Sequence, residues 1–115
     1  MKPAGKFIHR DQTAIAASDG NQIASLLSGA ETAGRFAVRE IVADPGAASA
    51  PALPSGDNRY VFIVAGAWQI DAGGERRTVR DGVSVFIPAG ETYAARLIGT
   101  SPGKILEIAA PVARG

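Results

Sequence analysis

Apolar and polar positions alternate with a period of two along much of this chain. In residues 35–42, Phe36, Val38, Glu40 and Val42 share one face while Arg35, Ala37, Arg39 and Ile41 share the other, the pattern of a strand with two different sides. Residues 59–65 are a run rich in β-branched side chains that puts Arg59, Val61 and Ile63 on one face. Gly66 turns this run into residues 67–71, where Trp68 alternates with Ile70. Ala72, Gly73 and Gly74 make the next reversal, residues 75–79 the next strand, and Asp81 with Gly82 a further tight turn. Residues 83–87, 93–98 and 104–110 complete the series. Residues 21–27 leave two readings open: Ile23, Leu26 and Leu27 fall at helical spacing, yet Gly20 and Gly29 box the segment in and a hairpin strand fits equally.

Composition sharpens this picture. The 14 glycines and 7 prolines interrupt any long helical pattern, and short strands joined by tight turns predict an all-β sandwich or barrel. At 115 residues the chain is long enough for one core and too short for two. Residues 44–58 have loop composition throughout, and a loop this long in a small domain belongs at a functional mouth. No run reaches the roughly 18–20 apolar residues that span a bilayer, and residues 1–10 lack the apolar core of a secretory signal, so a cytoplasmic protein without membrane contact is expected. The absence of cysteine excludes disulfides, thiolate metal sites and a thiol nucleophile. A formal charge of +1 does not suit a nucleic-acid binder, and Arg76, Arg77 and Arg80 read as a solvated turn rim.

The most specific signal lies in residues 82–93. Gly82 allows a tight entry into a strand, Pro88 ends the ladder for want of an N–H, and Gly90 permits the turn before the chain re-enters the sheet. In spacing, Gly82, Pro88 and Gly90 resemble the second motif of the cupin superfamily, in which a histidine follows three residues after the last glycine. Upstream, Gly46 and Gly66 match the opening and closing glycines of the first cupin motif, and the segment from Leu26 to Phe36 resembles the opening of small quercetin-dioxygenase-like cupins. The resemblance implies a cupin-type double-stranded β-helix, a jelly-roll barrel, over residues 20–112, with an N-terminal arm at 1–19 and a tail at 113–115.

Cupins of this kind usually hold a metal, and here the sequence departs from the pattern. The resemblance puts the first motif's two histidine positions on Ala52 and Pro54, its glutamate position on Arg59 and the second motif's histidine on Tyr93. Alanine and proline side chains offer no lone pair, and arginine brings a permanent cation, so no metal and no other cofactor is expected. The only histidine, His9, lies outside both motifs.

In the cupin register the Arg59, Val61, Ile63 face and the Tyr93, Ala95, Leu97 face both point into the barrel, which implies an apolar interior with two polar anchors. Arg59 can grip a carboxylate, enolate or phenolate oxygen, and Tyr93 can exchange a proton if that cation lowers its pKa toward neutrality. Surface pairing of Arg59 with Asp57 and a core role for Tyr93 are the plainer alternatives. Glu40, a carboxylate on an apolar stripe, is the third candidate for acid–base work, against solvation at the barrel rim. Trp68 is a candidate to stack on a planar ligand, against filling core or joining a dimer contact, with Val61, Ile63, Leu97 and Ala52 completing the expected substrate wall. These residues point to a metal-independent isomerase, cyclase or lyase acting on a small oxygenated or aromatic molecule, such as those of specialised metabolism. The alternative is a non-catalytic ligand-binding or scaffold protein. Apolar residues on both sides of several strands, with Phe86 opposite Val83, Val85 and Ile87, predict a homodimer.

Overall fold

The apolar faces close on one another in two antiparallel sheets. The computed structural model describes residues 5, 7–8, 15–18, 20–47, 53–54 and 56–112. The strands are β1 (Ile15–Ser18), β2 (Asn21–Leu27), β3 (Ala37–Ala43), β4 (Leu53–Pro54), β5 (Asp57–Ala65), β6 (Ala67–Ala72), β7 (Glu75–Val79), β8 (Ser84–Ile87), β9 (Thr92–Ile98) and β10 (Gly103–Pro111). Six form one sheet in the order β1-β2-β3-β10-β5-β8 and four the other, β4-β9-β6-β7. This is the jelly-roll arrangement, two sheets burying their inner faces against each other. No helix is present among the described residues, so none there is long and apolar enough to cross a membrane.

Tertiary pairing resolves the ambiguous segment. Residues 21–27 form a strand because β2 pairs with β3 on one side and β1 on the other, which satisfies backbone groups that a short isolated helix would leave exposed. The sheet also begins earlier than the expected barrel boundary, since β1 lies within the stretch read as an arm.

Inner positions of both sheets make the core: Val61, Ile63, Ile87 and Ile105 from the larger, Trp68, Ile70 and Leu97 from the smaller. Each such side chain, taken fully out of water, contributes about 1.5–3 kcal/mol. At the β5–β6 turn Gly66 has φ of 96°, and a Cβ there would meet the Gly103 Cα at 3.0 Å. Only glycine combines that conformation with so close a backbone approach.

The loop between β2 and β3 is closed by its own polar side chains. Ser28 N–H donates to Glu31 Oε1 at 3.0 Å and Glu31 N–H donates back to Ser28 Oγ at 3.3 Å. Thr32 is buried, with its hydroxyl donating to the Phe36 carbonyl and accepting from Phe36 N–H. This fixes the entry to β3 and hence the row that begins at Ala37.

Candidate functional site

β10 runs through the middle of the larger sheet, and its register builds the site. Glu107 pairs with Arg39 of β3 on one side and Val61 of β5 on the other, while Ala109 pairs with Ala37 and Arg59. Arg39, Glu107 and Arg59 therefore lie on the inner face near one end of the barrel. Arg59 and Glu107 are diagonal neighbours, positions that in antiparallel pairs stand about 7–8 Å apart.

Glu107 is the centre of this group. It is 4% exposed, a carboxylate almost wholly out of water. Its Oε1 accepts from Arg39 Nε at 2.6 Å and its Oε2 accepts from Tyr93 Oη at 2.5 Å. Both bonds are charge-assisted, and they offset the cost of withdrawing the carboxylate from solvent. Tyr93 arrives from β9 of the opposite sheet, so the contact also ties the two sheets together.

The Arg59 Cζ lies 5.4 Å from the centroid of the Tyr93 ring. The structure thus brings together the arginine and the tyrosine expected to meet. The direction of the Tyr93 pKa is nevertheless opposite to the expected one. Burial pushes the phenol well above its ordinary value, the Glu107 charge and hydrogen bond push it further, and Arg39 and Arg59 only partly oppose them. A cation at ring-face distance does not outweigh desolvation plus an adjacent carboxylate, so Tyr93 stays protonated and serves as a donor to Glu107.

A cleft of about 270 Å³ opens beside this group. Arg39, Arg59, Glu107, Ser25 and Ser28 supply its polar lining, and Leu27, Ala37, Val38 and Ala109 supply apolar wall. Tyr93 stands behind Glu107 rather than in the lining.

Several expected site residues lie elsewhere. Glu40 occupies the outer face of β3, opposite to Arg39, and its Oε2 lies 3.8 Å from Lys104 Nζ. The alternation that grouped it with Val38 and Val42 holds, but that stripe is the outside of the barrel, so Glu40 cannot act within it. Val61, Ile63, Trp68 and Leu97 are core rather than cleft wall, because side chains from the two sheets interdigitate and fill that space. The indole N–H of Trp68 donates to the Ala65 carbonyl at 3.0 Å, which leaves it no polar edge for a ligand. Ala52 and His9 lie outside the described residues.

Two members of the site, Glu107 and Arg39, carried a signal that sequence reasoning passed over. In residues 103–109 the positions 103, 105, 107 and 109 share one face, so Glu107 follows Ile105 on an inward apolar stripe. Arg39 likewise shares its face with Ala37 and Ile41.

The metal that cupins usually hold does not fit this donor set. Among the described residues no three His, Cys, Asp or Glu side chains converge. The one carboxylate in the cleft already receives Arg39 and Tyr93, and Arg59 adds a second cation beside it.

The sequence matches the cupin domain family over residues 39–109. No curated protein matches it. Solved structures do, at low identity. An RmlC-like cupin from Shewanella frigidimarina superposes with a TM-score of 0.79 at 18% identity, covering 99% of this chain and 97% of that one. A predicted oxalate decarboxylase from Thermotoga maritima gives 0.85 at 15% identity over 93% of this chain and 100% of that one. The polyketide cyclase RemF from Streptomyces resistomycificus gives 0.76 at 20% identity over 93% of this chain and 80% of its own.

Proposed function

The chain belongs to the cupin family, and on that premise we propose that it is a metal-independent member that takes a small oxygenated or aromatic molecule into the cleft beside Glu107. The observation that carries this reading is a buried carboxylate held between Arg39 and Tyr93 that lines the cleft together with Arg59. A carboxylate has about four lone-pair sites, of which Arg39 and Tyr93 use two, so Glu107 retains capacity to accept a proton. In the enzyme form of the proposal, a C–H bond next to a carbonyl breaks, the proton goes to Glu107 and the electron pair goes to the carbonyl oxygen. The guanidinium groups of the cleft, Arg39 and Arg59 together, stabilise that oxygen as its charge develops. Return of the proton at another carbon gives an isomerisation, attack of the carbanion on a second carbonyl gives a cyclisation, and loss of a neighbouring leaving group gives an elimination. The polyketide cyclase among the similar structures supports only the statement that a protein of this fold is a cyclase.

A second reading, a ligand-binding protein without turnover, draws support from Tyr93. Its phenol is held protonated and bonded to Glu107, so it is a poor proton donor to a substrate. Cytoplasmic location and a homodimer are part of the same proposal.

Hydrogen–deuterium exchange separates the two readings. Small ketones and keto acids are incubated in D₂O with the protein, and loss of the proton next to the carbonyl is followed by NMR. Exchange above background that falls at least about a hundredfold in Glu107→Gln supports the enzyme, a loss typical of removing a positioned general base. Saturable binding with no exchange in the wild type supports the binding protein.

A further inference from the structure

The charges in the cleft do not cancel. Arg39 and Glu107 form one ion pair, Nε to Oε1 at 2.6 Å, with Arg39 44% exposed and Glu107 buried. Tyr93, held protonated, adds no charge. Arg59 is half-buried and makes no ion pair among the described residues; its contact is the face of the Tyr93 ring. The lining therefore carries two guanidinium groups and one carboxylate, an excess of one positive charge in a partly desolvated space.

We infer that the ligand enters as a monoanion, with a carboxylate already ionised in its free state seated on the Arg59 guanidinium. This rests on the proposal that the cleft is a ligand site and narrows its substrate class. A guanidinium presents paired N–H donors that match a carboxylate in a two-bonded geometry, and Arg59 spends none of its donors within the described residues. Arg39 is less suited to the grip because its Nε is already committed to Glu107. The anion is single because one cation is in excess: a second negative group would face Glu107 across the cleft at a cost in repulsion. The remainder of the ligand is small and mixed in character, since beyond the charged groups the wall is Leu27, Ala37, Val38 and Ala109 with the hydroxyl-bearing Ser25 and Ser28, and the volume is about 270 Å³. An aromatic or short-chain monocarboxylate meets all of these conditions.

The test compares benzoate, benzamide and phthalate on the full chain by following the amide signals of Ser25, Ala37 and Ala109 in NMR titrations. Benzoate is expected to saturate these shifts, with benzamide and phthalate each at least about tenfold weaker, the discrimination expected of one charge-assisted pair. Arg59→Gln is expected to weaken benzoate about tenfold or more and benzamide by clearly less, so that the benzoate-to-benzamide preference falls, and Arg59→Lys to retain part of the preference. Dispersed amide spectra establish that each variant is folded. Benzamide binding as tightly as benzoate, or Arg59→Gln retaining the wild-type affinity, overturns the monoanion inference while leaving the cleft as a ligand site. If none of the three compounds moves the cleft amides at millimolar concentration, both the inference and the ligand-site proposal fall.

Discussion

The phenol of Tyr93 illustrates how a single side chain's role depends on what surrounds it. It is 6% exposed and donates to a carboxylate that is itself buried, so its proton is held more firmly than in water. An acid whose folded pKa is raised contributes stability that is fully present below its unfolded value, about 10, and is lost as pH rises past it. Above pH ~10 the unfolded chain releases the Tyr93 proton and the folded chain keeps it, so unfolding becomes easier by about 1.4 kcal/mol per pH unit. Urea unfolding measured from pH 9 to 11 is expected to show this loss, and Tyr93→Phe to remove one proton's share of the slope. A wild-type slope equal to that of Tyr93→Phe would contradict the buried donor. The same scale explains the revised assignments. Arg59 and Tyr93 were legible from the spacing of the cupin motifs, whereas Glu107 was not, because a single glutamate in an apolar strand has the same spelling whether its partner lies in the next strand, in the opposite sheet or in solvent.

Strands and turns were the most legible part of the chain. Residues 75–79 form β7 with the expected limits, and residues 83–87 and 93–98 differ from β8 and β9 by one residue at the start. The short-range signals, alternation plus glycine and proline at the corners, are local physics that the sequence carries directly. Glycine at 103 belongs instead to the packing between strands. A Cβ there would meet the Leu97 Cδ1 and come within 2.8 Å of Trp68 Nε1, and the indole cannot retreat without losing its bond to Ala65. Gly103→Ala is expected to destabilise the fold by about 1–3 kcal/mol, an overpacking cost measured as a lower urea midpoint with an unchanged slope. A midpoint equal to the wild type would mean that β6, β9 and β10 pack more loosely than described.

At the scale of the molecule, the larger sheet has a second, outward face. Tyr60, Val64 and Phe86 on it are 41%, 41% and 61% exposed, and in register Tyr60 stands between Phe86 and Ile108 while Phe62 stands beside Leu106. The charged residues at its margin, Glu40 and Lys104, lie near one another. On the homodimer proposal a second copy of the chain would cover this face, since an apolar patch without unbalanced charge can meet its own two-fold image without repulsion. Sedimentation at high micromolar concentration is expected to give a dimer, and Phe86→Lys to shift it toward monomer with the thermal unfolding of the barrel retained. A monomeric wild type at that concentration would remove this expectation.

Local pattern by itself determined β3 and the strands from β5 to β10, the turns between them and, through the motif spacing, the family and the meeting of Arg59 with Tyr93, whereas β1, β2 and β4 were decided by pairing. It could not determine which face of β3 is inside, because alternation defines two faces and is symmetric between them. Burial breaks that symmetry only when β10 pairs with both β3 and β5 and the second sheet closes over one side. That closure turned Glu40 outward, brought Arg39, Glu107 and Tyr93 into contact, and filled with core the space beneath the cleft. It also set the Tyr93 pKa, since desolvation and a neighbouring charge belong to the assembled barrel and to no segment of it.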